Sequence, residues 1–119
     1  MPKLLALDSS TSTTKVSLWI DGRITHYQTE KPRQAAQQLL PLVQRALDDA
    51  SLTVSQLDAI ATTTGPGSFT GLRIGIGVAQ GLSMANQTPL IGISCLELLA
   101  YSASKKLAAD YFLVCLPAR

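Results

Sequence analysis

The chain has 119 residues, of which 46% are hydrophobic and 15% charged, with a formal net charge of +2. The charged share is below the roughly 25% usual for a globular domain, and surplus apolar surface of that kind ends up in an interface. The ten Lys and Arg residues are scattered, which excludes a broad basic surface for nucleic acid.

The N-terminus, Met1-Pro2-Lys3-Leu4-Leu5-Ala6-Leu7-Asp8, reaches an acid too early for a signal peptide. No apolar run approaches the roughly 20 residues of a membrane span, so the expected location is the cytoplasm. Lys3 to Asp8 reads as a buried strand that ends in the polar turn Ser9-Ser10-Thr11-Ser12-Thr13-Thr14. Lys15 to Ile20 alternates, with Val16, Leu18 and Ile20 on one face, and Asp21-Gly22 is a two-residue hairpin signal. Arg23 to Thr29 returns as a third strand.

Lys31-Pro32 breaks the alternation, and from Gln34 to Ala50 the period becomes helical. Ala36, Leu39, Leu40, Val43, Leu47 and Ala50 recur at helical steps, with Leu42 and Ala46 beside them. Pro41 removes one backbone hydrogen bond and predicts a kink or an irregular first turn. Val54 to Asp58 connects to a fourth strand, Ala59 to Thr64. Gly65-Pro66-Gly67-Ser68 turns into a helix from Phe69 to Asn86, which Thr88-Pro89 stops. Leu90 to Ile93 is a fifth strand, Cys95 to Lys106 a third helix, and Tyr111 to Leu116 a last strand.

Three antiparallel strands followed by alternating units give the order β-β-β-α-β-α-β-α, an α/β class with a mixed sheet. It is the order of the ribonuclease H-like fold, also the repeating half of the actin-like ATPase (ASKHA) superfamily. Residues 1–109 are read as one such domain, and 110–119 as the first strand of a truncated second domain.

Four glycines, Gly71, Gly75, Gly77 and Gly81, lie inside the second helix. Each costs about 1 kcal/mol relative to alanine, and the usual compensation is close approach of another backbone. The pairs Gly71/Gly75 and Gly77/Gly81 point in different directions, so one can meet the sheet while the other stays open to a second element. Arg73, Gln80 and Gln87 form one narrow polar stripe on an otherwise apolar helix.

The turn before that helix has two readings. Its glycines and the free amides of a helix start suit an anion, which makes Gly65, Gly67, Ser68 and Thr70 candidate anion-binding residues, with Asp8, Ser10 and Thr11 of the first turn. It fits neither phosphate-loop nor dinucleotide fingerprint, and no lysine follows to grip a phosphate. The other reading is a structural turn with Ser68 or Thr70 capping the helix. Asp8 has the same two readings, ligand for magnesium or cap of a tight turn.

His26 is the single histidine and lies mid-strand without a metal or triad partner. Cys95 and Cys115 form no metal-ligand spacing and are expected as reduced, buried thiols. Ser94-Cys95 lacks the motif of a hydrolase nucleophile. No catalytic group and no metal set assembles from these residues.

Leu5-Ala6-Leu7-Asp8-Ser9-Ser10-Thr11, Leu39-Leu40-Pro41-Leu42-Val43 and Gly65-Pro66-Gly67-Ser68-Phe69-Thr70-Gly71-Leu72-Arg73-Ile74-Gly75 resemble the bacterial TsaB (YeaZ) family. The resemblance runs from Lys3 to about Arg119 and corresponds to the first domain and opening strand of the second. It implies a non-catalytic scaffold needed for threonylcarbamoyl transfer to tRNA adenosine beside the anticodon. The implied partners are the catalytic paralogue TsaD and the ATPase TsaE, with a homodimer in isolation, tRNA contacted only through the complex, and no membrane. Family members pair through their first two helices, which implies interface residues Leu39, Leu42, Val43, Ala46, Arg73, Ile76, Gly77, Gln80, Gly81 and Met84. No cofactor is implied; ATP with magnesium at Asp8 belongs to the alternative of an actin-like enzyme. The family also carries a glycoprotease label, against which the missing metal pair argues. Ala35 stands where many members have histidine, and Pro117-Ala118-Arg119 where many have Asp-Ala-Arg.

Overall fold

The computed structural model describes residues 2–29, 35–109, 111 and 113–115. The elements are β1 (Lys3–Asp8), β2 (Lys15–Ile20), β3 (Arg23–Gln28), α1 (Ala35–Asp49), a 3-10 turn (Val54–Gln56), β4 (Ala59–Gly65), α2 (Phe69–Asn86), β5 (Leu90–Ser94) and α3 (Cys95–Ser104). They form one mixed sheet in the order β3-β2-β1-β4-β5. β1, β2 and β3 pair antiparallel, and β4 joins both β1 and β5 in parallel. The α/β ribonuclease H-like arrangement expected from the chain order is the one observed. The 3-10 turn is the one element that the alternation of apolar residues did not mark.

Strand register fixes which residues share a face. Leu5 stands between Leu18 and Ile60, and Leu7 between Val16 and Thr62. All five apart from Thr62 are core side chains, and Thr62 is buried beside them. Against this face α1 packs Leu39, Leu42, Val43, Ala46 and Leu47, and α2 packs Ala79. Alternation in the strands and the helical period in α1 thus meet in a single layer, in which burial contributes about 25 cal/mol per Å² of apolar surface. Four of the residues expected at a partner interface, Leu39, Leu42, Val43 and Ala46, are therefore taken up by the chain's own core. The correction has a simple cause: α1 has one wide apolar face, and the sheet claims it.

α1 continues through Pro41 without interruption. α2 begins at Ser68, whose side chain accepts a hydrogen bond from the Gly71 amide at 3.2 Å. It ends at Gln87, which adopts a left-handed conformation (φ 53°) as the C-cap. Gln87 thus leaves the helix surface and does not extend the stripe of Arg73 and Gln80.

The other sheet face carries Leu4, Trp19 and Ile24 in one cross-strand row, and Ala6, Ser17, His26, Ala61 and Ile91 in the next. Among the described elements α3 lies over it, through Leu98, and a groove of about 620 Å³ remains. Tyr111 and Leu113 to Cys115 are in no strand, so the described part of the expected last strand is irregular; Phe112 and Leu116 lie outside the described residues, as do Gln34 of the first helix and Pro117-Ala118-Arg119. Both cysteines are free, but Cys115 is exposed where a buried thiol was expected. No described helix is long and apolar enough to cross a membrane.

Candidate functional site

The β1–β2 turn and the β4–α2 turn meet over the N-terminus of α2. Ser9 is buried there, and its hydroxyl donates to the Gly71 carbonyl at 2.5 Å. A methyl group at Gly71 would overlap the Ser9 carbonyl, and one at Gly75 would overlap the Ser9 hydroxyl. At Gly67 it would sit 2.6 Å from the Ser10 carbonyl, which also accepts from the Ser68 amide at 2.7 Å. Glycine is required at these positions because a turn of the chain itself presses on the helix. Gly77 and Gly81 differ: nothing lies within 4 Å of a methyl group at either.

The candidate anion-binding residues are brought together by these turns but are largely occupied. One oxygen of Asp8 accepts from the Ser10 amide (3.0 Å), the Ser10 hydroxyl (2.6 Å) and the Thr63 hydroxyl (3.0 Å). That is the arrangement of a carboxylate capping a tight turn. Thr11 is committed to its own turn through Thr13, and Ser68 caps α2. Gly65 has φ 114° and precedes a cis Pro66. Thr70 is exposed. Asp8, Ser10, Thr11 and Gly67 line a groove of about 380 Å³ with Lys15, Pro66 and Cys95. Among the described residues no three His, Cys, Asp or Glu side chains come together as a metal set. His26 faces the open side of the sheet, its ring Nδ1 2.7 Å from the Ser17 hydroxyl.

The remaining interface candidates lie on the outer side of α2. Gly71, Gly75 and Ala79 are its buried positions. On the opposite arc, Arg73, Gly77, Gln80, Gly81 and Met84 are exposed, and Ile76 is half-buried at the margin. Met84 is 80% exposed, and so, at 72%, is Phe69. The Arg73 guanidinium lies 5.2 Å from the Phe69 ring centre, a cation–π contact that holds both side chains out from the helix. Phe69 escaped the sequence reading because it adjoins the glycine turn. Its signal was its place one turn before Arg73, on the same face. On α1, Leu40 is exposed while Leu39, Val43 and Leu47 of the helical pattern are buried.

One polar contact ties α1 to the sheet edge. The Tyr27 hydroxyl donates to Asp49 at 2.8 Å, and the Arg45 guanidinium lies 5.3 Å from the Tyr27 ring centre. The hydrogen bond to Asp49, followed by burial, holds the phenol above its ordinary value of 10.0.

Comparison with known proteins places this arrangement. Residues 21–118 match the profile of the TsaD family, tRNA N6-adenosine threonylcarbamoyltransferase. The chain is 40% identical over 98% of its length to the tRNA threonylcarbamoyladenosine biosynthesis protein TsaB of Escherichia coli (strain K12), covering 51% of it. It is 39% identical over 98% of its length to TsaB of Haemophilus influenzae, covering 49% of that protein. The chain thus spans about half the length of these relatives. Among solved structures, YeaZ from Pseudomonas aeruginosa superposes with a TM-score of 0.83 at 47% identity, over 89% of this chain and 50% of that one. RuvC of Thermus thermophilus, at 9% identity and a TM-score of 0.57 over 89% of this chain and 73% of that one, shares the fold alone. At 39–47% identity over most of its length, the chain belongs to the TsaB (YeaZ) family, whose curated members are named for tRNA threonylcarbamoyladenosine biosynthesis.

Proposed function

We propose that the chain is a non-catalytic scaffold for the transfer of threonylcarbamoyl to tRNA adenosine beside the anticodon. It docks through the outer face of α2 onto the transferase paralogue TsaD, and the pair receives the ATPase TsaE. Contact with tRNA runs through that complex, in the cytoplasm. The observation that carries this reading is the exposure of Phe69, Arg73 and Met84 together on one arc of a helix whose other side is core. Large exposed side chains sharing one helix face favour a protein partner over solvent. The match of the chain to the TsaD family profile supports a partner of the same fold.

Met84→Lys and Gly77→Leu place a charge or bulk on that face without touching the core. Each is expected to weaken association with TsaD more than about tenfold in a calorimetric titration. Undiminished affinity in both variants would exclude this face as the docking site. The alternative, an actin-like enzyme holding ATP and magnesium at Asp8, is disfavoured by the three donors that already occupy one oxygen of that carboxylate. Calorimetry with magnesium and ATP is expected to give no micromolar binding; such binding, lost in Asp8→Ala, would favour the enzyme.

A further inference from the structure

The open face of the sheet holds a nucleophile and a base in contact. Ser17 and His26 stand directly opposite each other on β2 and β3, and the Ser17 hydroxyl lies 2.7 Å from Nδ1 of the His26 ring. With the ring proton on Nε2, Nδ1 accepts from that hydroxyl. In this pairing a base can draw the proton from a serine nucleophile. Both side chains line the groove of about 620 Å³ on this face. The space is there because the neighbours of Ser17 in its cross-strand row are small, with Ala6 on its other side and Ala61 beyond that. Ile93 and Leu98 add apolar wall. We propose that Ser17 is an acyl-accepting nucleophile, with His26 as its base, for activated esters of apolar carboxylic acids that enter this groove. The site lies across the sheet from the core packing of α1 and α2, so the proposal does not depend on the docking reading of α2.

The reaction closes with groups already present. The Ser17 oxygen attacks the ester carbonyl carbon while His26 Nδ1 takes its proton. The carbonyl electron pair moves onto its oxygen, where Lys15 meets the charge. Lys15 lines the same groove and stands two residues before Ser17 on one strand face. Its cross-strand partner Gln28 is the next residue after His26 on that face. Lys15 and His26 are therefore diagonal neighbours, about 7–8 Å apart and within reach of a long side chain. Return of the electron pair breaks the ester bond, and the alcohol leaves with the proton held by His26. The acyl group then sits on Ser17. Water, giving its proton to the same imidazole, attacks the acyl carbon and releases the carboxylic acid, and Ser17 recovers its proton. The net change is ester plus water to acid plus alcohol.

The full chain exposed to p-nitrophenyl butyrate tests this in two ways. Mass spectrometry of the wild-type chain locates the acyl group and needs no variant to fold. It is expected on Ser17. An acyl group on a lysine or on Cys115, the exposed thiol, with Ser17 unmodified, would overturn the proposal. So would a chain that neither carries an acyl group nor releases p-nitrophenol above the uncatalysed rate. Release of p-nitrophenol is the second readout. Ser17→Ala is expected to bring it to the uncatalysed rate, and His26→Gln to lower it at least about a hundredfold, as for loss of a general base. A Ser17→Ala chain as fast as wild type would show another group acting alone, and an unaffected His26→Gln chain would remove the base; either overturns the proposal. Lys15→Met is expected to lower kcat with KM nearly unchanged, because the ammonium meets charge that develops after binding. An unchanged kcat in that variant would overturn the part given to Lys15.

Discussion

Gly71 and Gly77 are the same residue in the same helix, and their neighbours make them opposites. At Gly71 a methyl group meets the Ser9 carbonyl, whereas at Gly77 it meets nothing. Gly71→Ala is therefore expected to destabilise the chain by about 1–3 kcal/mol, the range for overpacking. Gly77→Ala is expected to stabilise it by about 0.5–1 kcal/mol, because alanine loses less chain entropy and no space is contested. Denaturant unfolding of the two variants reads the signs directly. Tyr27 offers a second measurement. Its phenol is held above its ordinary value by Asp49, so the unfolded chain gives up this proton first as pH rises. The stabilisation is complete below the ordinary tyrosine value of 10.0 and is lost above it, as pH climbs through the raised value. Asp49→Asn is expected to bring the phenolate absorbance transition back toward the ordinary pH.

At the scale of elements, the periodicities carried most of the fold. β1, β2 and the span of α2 follow from apolar spacing, the Asp21-Gly22 hairpin and the Ser68 cap, all of them local signals. Which apolar helix face meets the chain and which stays open is a tertiary fact, and that is where sequence reasoning failed. Leu39, Leu42, Val43 and Ala46 were assigned outward although the sheet needed them, and Phe69, beside the glycine turn, was not assigned outward at all. Two glycine pairs facing different ways were legible from spacing alone. Their division into an inner and an outer pair needed Ser9, whose contact with Gly71 spans the interval from one strand end to a distant helix. Of the candidate anion-site residues, Asp8, Ser10, Thr11 and Gly67 line one groove, but only the hydrogen bonds around Asp8 reveal that its carboxylate is already engaged.

For the whole molecule, the two faces of the sheet are treated unequally. α1 and α2 seal one, and the short α3 partly covers the other. Sheets containing parallel strands are ordinarily covered on both sides. The 119-residue chain therefore carries an apolar second surface in the row of Leu4, Trp19 and Ile24, with Ile24 on the edge strand β3 exposed. Ile24→Lys is expected to change folding stability by no more than about 0.5 kcal/mol, as for a surface site. The same variant is expected to lower binding of a hydrophobic dye to the native chain; unchanged dye fluorescence would show that the row is not the accessible apolar surface. Charged side chains on an edge strand also limit strand-to-strand aggregation.

The opposite neighbours of the inner and outer glycines make α2 a helix under two separable selections. In a library randomised at Gly71, Gly75, Gly77 and Gly81, a screen for abundance in the cell would purge the first two positions and spare the last two. A screen for complex formation would purge all four. The difference between the two enrichment maps would outline the docking face without a structure of any complex.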